Sequence, residues 1–341
     1  MKNLESKRYW IWFSLIKNLG CIRKKKLLEL YKTPENIYNL TKEELLKIDG
    51  IGNETVKNIL ESKNEKLLDY HIKYMEENNI DIIHICEESY PQLLKQIYDA
   101  PVSLYIRGNK EILNGQNIGI VGCRDCTDYG KKAAKYFAYN LSKEKSINIV
   151  SGLAKGVDSY AHWGSVGSNI EVAREANCGK KQDYSGKQKL NCGNKYGTCG
   201  KQNINCGKLQ NNCEINKKDC GKTIAVLGNG LDMIYPKENI ELANEIIRNG
   251  GAIISEYPCG TKPDKMNFPA RNRIISGISN GIIVIEAKEK SGTLITVDFA
   301  LEQGRDVFVV PGNINSINSV GTNNLIKQGA KLVTSYIDVY Q

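Results

Sequence analysis

Histidine is scarce in this sequence, which contains only three among 341 residues. Long apolar runs are also missing, because no stretch approaches the ~18 consecutive apolar residues that a membrane helix needs. The N-terminal segment MKNLESKRYWIWF has no apolar core followed by a small-residue cleavage site, as a secretory signal would have. These absences predict a cytoplasmic protein with no membrane partner.

Standard nucleotide-binding signatures are absent as well. Neither G-x-G-x-x-G nor G-x-x-x-x-G-K-[ST] occurs, which disfavours a dinucleotide or a nucleoside triphosphate as ligand. The sequence also lacks a nucleophile elbow and a cluster of metal ligands. His162 falls in a predicted helix, where we expect it to pack beside the sheet. We therefore predict no metal, no cofactor and no enzymatic activity.

Positive charge and cysteine are concentrated in one tract. Residues 178–220 hold nine lysines and three acidic residues, so six of the nine net positive charges lie there. Cysteines recur at seven-residue spacing, at Cys178, Cys192, Cys199, Cys206, Cys213 and Cys220. The tract has no C-x-x-C pair for a metal, and glycine after most cysteines disfavours a coiled coil. We interpret about 177–220 as a duplicated, disordered surface insertion, with metal or redox binding as the alternative.

Residues 1–75 read as a small all-α domain. The stretch 45–60 has the form helix, tight turn, helix, and Gly50 and Gly52 flank Ile51, which we expect to plug the turn into the core. Such a turn exposes backbone N–H groups at a helix start, where they can bind phosphate. The segment is similar to SAM or helix-hairpin-helix domains. A helical hairpin used only for packing is the alternative.

Residues 80–340 alternate short apolar strands with helices. This alternation predicts an α/β fold, an extended Rossmann-like and largely parallel sheet flanked by helices. Strands are expected near 80–85, 118–121, 147–150, 223–227, 252–255, 281–287 and 307–310, with 91–108 extended. Helices are expected near 65–79, 129–145 with Asp128 as N-cap, 238–249 and 293–303.

Four of the strand ends carry groups that bind anions. In open α/β sheets, ligands bind at the carboxyl ends of the strands. The first strand end offers Gly122 and Arg124, and the second offers a glycine-rich turn that begins Ser151-Gly152. A loop at 267–273 adds two arginines beside an aromatic ring, and Lys288 and Lys290 precede the last long helix. We predict that these groups converge on one rim of the sheet and form a ligand site.

These residues closely resemble the DNA-processing protein A (DprA, also called Smf) family. The resemblance rests on the segments IGIVGCRDCTDYGKKAA, IVSGLAKGVDSYAH, KTIAVLGNGLDMIYPKEN, NFPARNRIISGIS and EAKEKSGTLITVDFALEQGRDVFVVPG. It covers most of 85–335 apart from the insertion. The resemblance implies a homodimer that binds single-stranded DNA, protects incoming DNA and loads the RecA recombinase during natural transformation. It places the dimer contact between Rossmann domains, with helix 293–303 as the candidate surface.

The same resemblance assigns candidate residues. DNA-contacting positions carried over are Arg124, Lys155, Phe268, Arg271, Arg273, Lys288 and Lys290, with Ser151, Gly152 and Asn267 as polar or backbone supports. The chain departs from the family pattern in three places. Cys123 stands where the family usually has serine, the insertion interrupts the fold, and the sequence ends at Gln341, before the winged-helix-like domain of many relatives.

Two other functions remain open from the residues. One is a nucleotide phosphoribohydrolase similar to the Log family, although its P-G-G-x-G-T-x-x-E signature is missing from the sequence. The other is a sensor that binds a small nucleotide on the same Rossmann core. Release of free base from nucleoside monophosphates would favour the first, and a thermal shift with mononucleotides alone would favour the second.

Overall fold

The computed structural model describes residues 4–144, 146–167 and 221–340. Its N-terminal part is helical, with α1 Arg8–Leu15, α2 Cys21–Tyr31, α3 Pro34–Tyr38, α4 Lys42–Leu46, α5 Asn53–Glu61 and α6 Glu65–Glu77. The short α4 is fixed by a capping box between Thr41 and Glu44, which satisfies backbone N–H groups at the helix start. Ile51, in the turn after α4, is 6% exposed, as the sequence predicted.

The rest of the described chain builds a nine-stranded sheet. Its strands are β1 Ile80–His84, β2 Ser103–Gly108, β3 Asn117–Val121, β4 Asn148–Ser151, β5 Thr223–Leu227, β6 Ala252–Ser255, β7 Gly281–Val284, β8 Asp306–Val309 and β9 Lys331–Leu332. The spatial order is β1-β2-β6-β5-β4-β3-β7-β8-β9. The β1–β2 and β2–β6 pairs are antiparallel, and every other pair is parallel. The predicted α/β, Rossmann-like fold class is confirmed.

Helices cover both faces of this sheet. They are α7 Gln92–Lys95, α8 Asp128–Glu144, α9 Val157–Val166, α10 Ile240–Arg248, α11 Asn267–Gly277, α12 Gly292–Glu302 and α13 Val320–Lys327. The inner strands are buried along their whole length, as β3 and β5 show. Parallel strands covered on both faces read as continuous apolar runs, and this is why the sequence located them.

Three local predictions need correction. The segment 91–108 is not extended throughout, because α7 forms within it and β2 occupies only its end. Asp128 lies inside α8, and the hydroxyl of Thr127 instead accepts the Gly130 N–H at 3.2 Å. The segment 267–273 is the start of α11 rather than a loop. In each case a neighbouring polar or proline residue suggested a different local boundary, and packing on the sheet decided it.

The N-terminal helices pack against the sheet through a continuous apolar cluster. Buried residues of α1 and α6, including Trp12 and Met75, belong to the same cluster as Ile82 of β1 and Tyr105 of β2. Lys7 adds an ion pair to Asp81 at 3.4 Å. Across the described ranges, no helix is both long enough and apolar enough to cross a membrane.

The predicted insertion at 177–220 lies outside the described residues. The chain on its two sides is close together, because the Gly221 N–H donates a hydrogen bond to the Ser165 carbonyl oxygen at 3.1 Å. Ser165 lies at the end of α9, and Gly221 precedes β5. Both therefore lie at the edge of the sheet where the parallel strands begin.

Candidate nucleic-acid interface

The chain order changes direction in the middle of the sheet. From β3 the chain passes through β4 and β5 on one side and returns to β7 on the other side of β3. Loops that follow β3 and β7 therefore diverge at their carboxyl ends and leave a crevice between them. Here the crevice is a groove of about 580 Å³. The fold thus places a groove at the edge where the sequence predicted a ligand site.

The groove is strongly cationic. Arg124 enters from the loop after β3, Lys288 and Lys290 from the loop after β7, and Lys265 from the segment before α11. All four side chains are exposed, and none forms an ion pair with a carboxylate of the described chain. Arg271 adds a fifth cation, whereas Asp125 and Asp158 are the lining carboxylates. The balance favours a polyanion.

Arg271 lies in the floor of the groove. It is 4% exposed, and its Nη1 donates hydrogen bonds to the carbonyl oxygens of Gly152, at 2.6 Å, and Val226. A Cβ on Gly152 would lie 2.5 Å from the guanidinium nitrogens, so any larger residue there would displace the guanidinium from its hydrogen bonds. Burial lowers the pKa of Arg271 to about 10, with Asp158 opposing the shift. The guanidinium therefore remains protonated at neutral pH.

Asp158 explains the shape of the turn after β4. It is 7% exposed and accepts the Gly152 N–H at 3.1 Å. Burial raises its pKa, an effect opposed first by Arg271 and then by backbone hydrogen bonds. Gly156 completes this turn at a φ of +78°, where a Cβ would lie 2.2 Å from the Arg124 carbonyl oxygen. The turn after β4 thus supports the loop that carries Arg124.

An aromatic pair forms one wall of the groove. The rings of Phe268 and Tyr235 stack with centroids 5.7 Å apart and planes 29° apart. The guanidinium carbon of Arg124 lies 5.6 Å from the centroid of Phe268. Aromatic faces beside cations are the combination that proteins use to bind bases and phosphates of a single strand.

The loop after β3 is tied to β7. The Cys123 N–H donates to the Glu286 carbonyl oxygen at 2.9 Å, and the Glu286 carboxylate accepts the Thr127 N–H at 2.9 Å. Cys123 and Cys126 form a C-x-x-C pair that the sequence analysis did not single out. Burial raises the pKa of Cys123, and it raises that of Cys126 to about 11, so both remain thiols at neutral pH.

Six of the eleven predicted site residues line the groove. They are Gly122, Arg124, Phe268, Arg271, Lys288 and Lys290. Ser151 and Gly152 lie beneath it, and the Ser151 hydroxyl donates to the Ile120 carbonyl oxygen at 2.7 Å. Asn267 begins α11 beside Phe268 without lining the groove. Lys155 pairs with Glu238 at 2.6 Å on the exposed surface.

Arg273 is placed away from the groove. Its guanidinium pairs with Glu256 at 2.7 Å and with Asp99 at 2.8 Å, and it is 5% exposed. Burial lowers its pKa, but Glu256, Cys21 and Asp99 together outweigh that effect and leave the pKa raised. In a helix, residues two positions apart point in nearly opposite directions, so Arg271 and Arg273 cannot both face the groove. The prediction that 267–273 is a loop gave no indication that the two arginines point in different directions.

Among the aromatic and cationic side chains that line the groove, sequence reasoning missed two, Tyr235 and Lys265. Tyr235 follows β5, so the rule of carboxyl-terminal strand ends was the signal that could have found it. Lys265 lies just before α11, and no motif marked it.

The predicted turn at Gly50 and Gly52 is present between α4 and α5. Gly50 has a φ of +83°. Lys26, the nearby cation, already donates to the Asp49 carbonyl oxygen at 2.7 Å and pairs with its carboxylate at 2.9 Å. Phosphate binding by this turn stays a prediction. Within the described ranges, no three His, Cys, Asp or Glu side chains are grouped as a metal site requires.

Comparisons with known proteins agree with this architecture. The family model described as DNA recombination-mediator protein A matches residues 81–191 and 214–341. The DNA processing protein DprA of Streptococcus pneumoniae is 40% identical over 75% of this chain and 71% of its own length. That of Bacillus subtilis is 36% identical over 86% of this chain and 81% of its own.

Solved structures agree as well. The X-ray structure of DprA from Streptococcus pneumoniae superposes with a TM-score of 0.71 at 34% identity, covering 98% of this chain and 96% of that one. A Helicobacter pylori DprA structure, described as revealing its single-stranded DNA binding mode, gives a TM-score of 0.56 at 26% identity over 76% of this chain and 93% of that one. The chain belongs to the DNA recombination-mediator protein A family and is a DNA-processing protein of the DprA/Smf type.

Proposed function

We propose that this protein binds single-stranded DNA in the groove and acts there as a recombination mediator. The observation that carries the proposal is the gathering of four exposed, unpaired cations beside an aromatic pair, along one edge of the sheet, in the described structure. Lysine and arginine neutralise phosphates, and aromatic faces accept unstacked bases. A flexible single strand offers both at once, whereas duplex DNA keeps its bases stacked inside.

A titration with a labelled dT oligonucleotide at several salt concentrations tests this proposal. The double variant Lys288→Ala/Lys290→Ala should bind more weakly, and its slope of log affinity against log salt should be about 1.4 smaller, because each lost phosphate contact on a single strand contributes about 0.7. Lys222→Ala/Lys327→Ala is the matched control, since both lysines are exposed and lie where parallel strands begin, at the other edge. Equal losses in both double variants would contradict the groove assignment.

The family supports a role beyond binding. We infer that the protein protects incoming DNA and loads RecA onto it during natural transformation. The protein should slow nuclease digestion of a single strand and should speed RecA-dependent strand exchange on DNA coated with single-strand-binding protein. Failure of the second effect with binding intact would remove RecA as a partner while leaving the DNA site in place.

We infer further that the protein is not an enzyme and acts in the cytoplasm. In support, His162 is fully buried, and burial lowers its pKa to about 3, so it is neutral and out of reach of a ligand. The thiols of Cys123, which lines the groove, and of Cys126 also remain protonated at neutral pH, because burial raises the pKa of each. Release of free base from nucleoside monophosphates would contradict this inference and favour the phosphoribohydrolase alternative.

We also propose two domains, residues 1–75 and 80–340, and a homodimer formed through the second. Leu301, on the proposed surface of α12, is 61% exposed. Leu301→Glu should convert a dimer to a monomer in analytical ultracentrifugation, because it places a charge in a desolvated contact. Leu67→Glu on α6, also exposed, is the control, and a monomeric wild-type protein would contradict the proposal.

A further inference from the structure

Tyr235 places an exposed aromatic ring at the groove. The residue follows β5, lines the groove and is 46% exposed. Its ring stacks on Phe268, with centroids 5.7 Å apart. Phe268 is the less exposed ring of the pair. The more accessible ring therefore belongs to Tyr235, which was not among the DNA contacts predicted from the sequence.

Phe268 is held in place by its surroundings. The Arg124 guanidinium lies over its ring at 5.6 Å. A Cβ on Gly228 would lie 3.0 Å from Cδ1 of Phe268, so the backbone after β5 packs closely against the ring. With Tyr235 as a further partner, Phe268 is a support that orients the outer ring.

Lys155 lies beside the segment that carries Tyr235. Its ammonium group pairs at 2.6 Å with Glu238, which follows Tyr235 closely in the chain. Ala154, the residue before Lys155, lines the groove together with Tyr235. A strand that leaves the groove past the tyrosine ring can therefore reach a further phosphate-binding group.

We propose that Tyr235 stacks on a nucleobase of the bound single strand, with Phe268 as the support behind it. This inference rests on the proposed function of the groove. Every base has a π face, so the contact contributes affinity with little sequence preference. It also separates two kinds of contact in one groove, because Arg124, Lys288 and Lys290 recognise the backbone whereas Tyr235 recognises the presence of a base.

Paired ligands test this division. Tyr235→Ala should weaken binding of a dT oligonucleotide on the order of tenfold, the effect of losing one base–aromatic stack. The same variant should bind an abasic phosphodiester of equal length as the wild type does, with an unchanged salt slope. Tyr235→Phe should keep wild-type affinity for both. Tyr70→Ala is the matched control, since Tyr70 is 63% exposed on α6 and does not line the groove.

The outcomes separate the two proposals. If Tyr235→Ala binds dT as the wild type does, or loses affinity for the abasic strand equally, the stacking role is overturned. If the wild type fails to bind either strand, or Lys288→Ala/Lys290→Ala changes nothing, the proposed function itself fails. Should Tyr235→Ala melt at a lower temperature, Tyr235→Leu keeps apolar packing without a π face and must show the same selective loss for dT.

Discussion

Arg271 shows how one side chain serves both the fold and the site. Its Nη1 joins the backbone of the turn after β4 to that of β5 through two carbonyl oxygens, and the same guanidinium lines the groove. Substituting it removes the hydrogen bonds and leaves Asp158 buried without its nearby cation, a change that costs about 3 kcal/mol or more in comparable sites. Loss of DNA binding in Arg271→Ala therefore cannot by itself identify a phosphate contact, whereas the exposed Lys288 allows that test.

Lys155 is predicted to contribute more to DNA affinity when the charge of its partner Glu238 is removed. The exposed Glu238 carboxylate holds its ammonium group at 2.6 Å and competes with any phosphate for it. Glu238→Gln should therefore raise affinity for a dT oligonucleotide at low salt and increase the salt slope by about 0.7. Glu241→Gln, also exposed on the nearby α10, is the control for net charge. Equal gains in the two variants would show that Lys155 does not contact DNA.

His162 is predicted to make the fold sensitive to acid. Its Nδ1 hydrogen-bonds with the Thr223 hydroxyl at 2.7 Å, and burial lowers its pKa to about 3 from an ordinary 6.5. The unfolded chain thus binds a proton below pH 6.5 that the folded chain does not, so stability is complete above pH 6.5 and is lost as pH falls towards 3. The loss attributable to this group is at most about 1.4 kcal/mol per pH unit.

Urea unfolding between pH 7 and pH 5 checks this. His162→Asn keeps a hydrogen-bonding group near Thr223 and does not titrate, so its free energy of unfolding should fall less over that range than that of the wild type. If the free energy of unfolding falls equally with pH in the wild type and in His162→Asn, His162 is not the source of the acid sensitivity. Burial also lowers the pKa of His71, which is half-buried on α6, so His71→Asn should change the pH dependence in the same direction but less than His162→Asn does.

At the scale of the element, α11 faces two structures at once. Arg271 faces the sheet and the groove, whereas Arg273 faces the N-terminal helices, where its Nη2 donates to the Cys21 sulfur at 3.3 Å. Glu256 and Asp99 bind the same guanidinium. The helix that supports the groove is therefore also the helix that holds α2 against the sheet.

Arg273→Gln is predicted to weaken the contact between α11 and α2 without changing DNA binding in the groove. Removing one partner of a buried pair leaves Glu256 uncompensated and should lower the free energy of unfolding by about 3 kcal/mol. Amide exchange in α2 should rise, while the salt slope for dT binding should stay the same. The exposed Arg248→Gln should do neither, since its partner Glu245 is on the surface of the same helix. A changed salt slope for dT binding in Arg273→Gln would indicate that Arg273 does contact DNA.

Elements with a strong local signal were predictable, and those decided by packing were not. Strands such as β3 and β5 are buried along their whole length and mostly apolar, so their short apolar runs identified them. The start of α11 contains Pro269 and two polar residues, which suggested a loop, but proline is compatible with the first turn of a helix. Because the direction of a side chain follows from its element, that one boundary decided where both arginines point.

At the scale of the molecule, the described residues that flank the insertion lie at the edge of the sheet opposite the groove. The described residues on either side of 168–220 are joined by the Gly221–Ser165 hydrogen bond where strands begin, and the groove lies where strands end. Net charge alone would suggest that the tract at 178–220 is the DNA-binding part of the sequence, because most of the excess lysine lies there.

Deleting residues 179–220 is predicted to leave folding and dT affinity unchanged at moderate salt. The described residues at the two ends of the tract, Ser165 and Gly221, lie at the edge of the sheet away from the groove, and charges further apart than the Debye length of about 10 Å at 0.1 M salt interact little. The deletion variant and the full chain should therefore give the same salt slope in the same titration. A smaller slope for the deletion variant would show that the lysines of this tract neutralise phosphates.

The sequence by itself determined the alternation of strands and helices, and with it the Rossmann-like class and the edge of the sheet where the groove lies. These follow from local burial patterns and from the rule that parallel strands share one carboxyl edge. Only the tertiary structure decided that Arg273 joins two parts of the protein, that Arg271 forms the floor of the groove and that Tyr235 joins Phe268. The physical reason is that the role of a side chain depends on which groups, distant in the sequence, it contacts in the fold. The sequence identifies an arginine or an aromatic residue, but it does not show whether that side chain faces Glu256 or solvent.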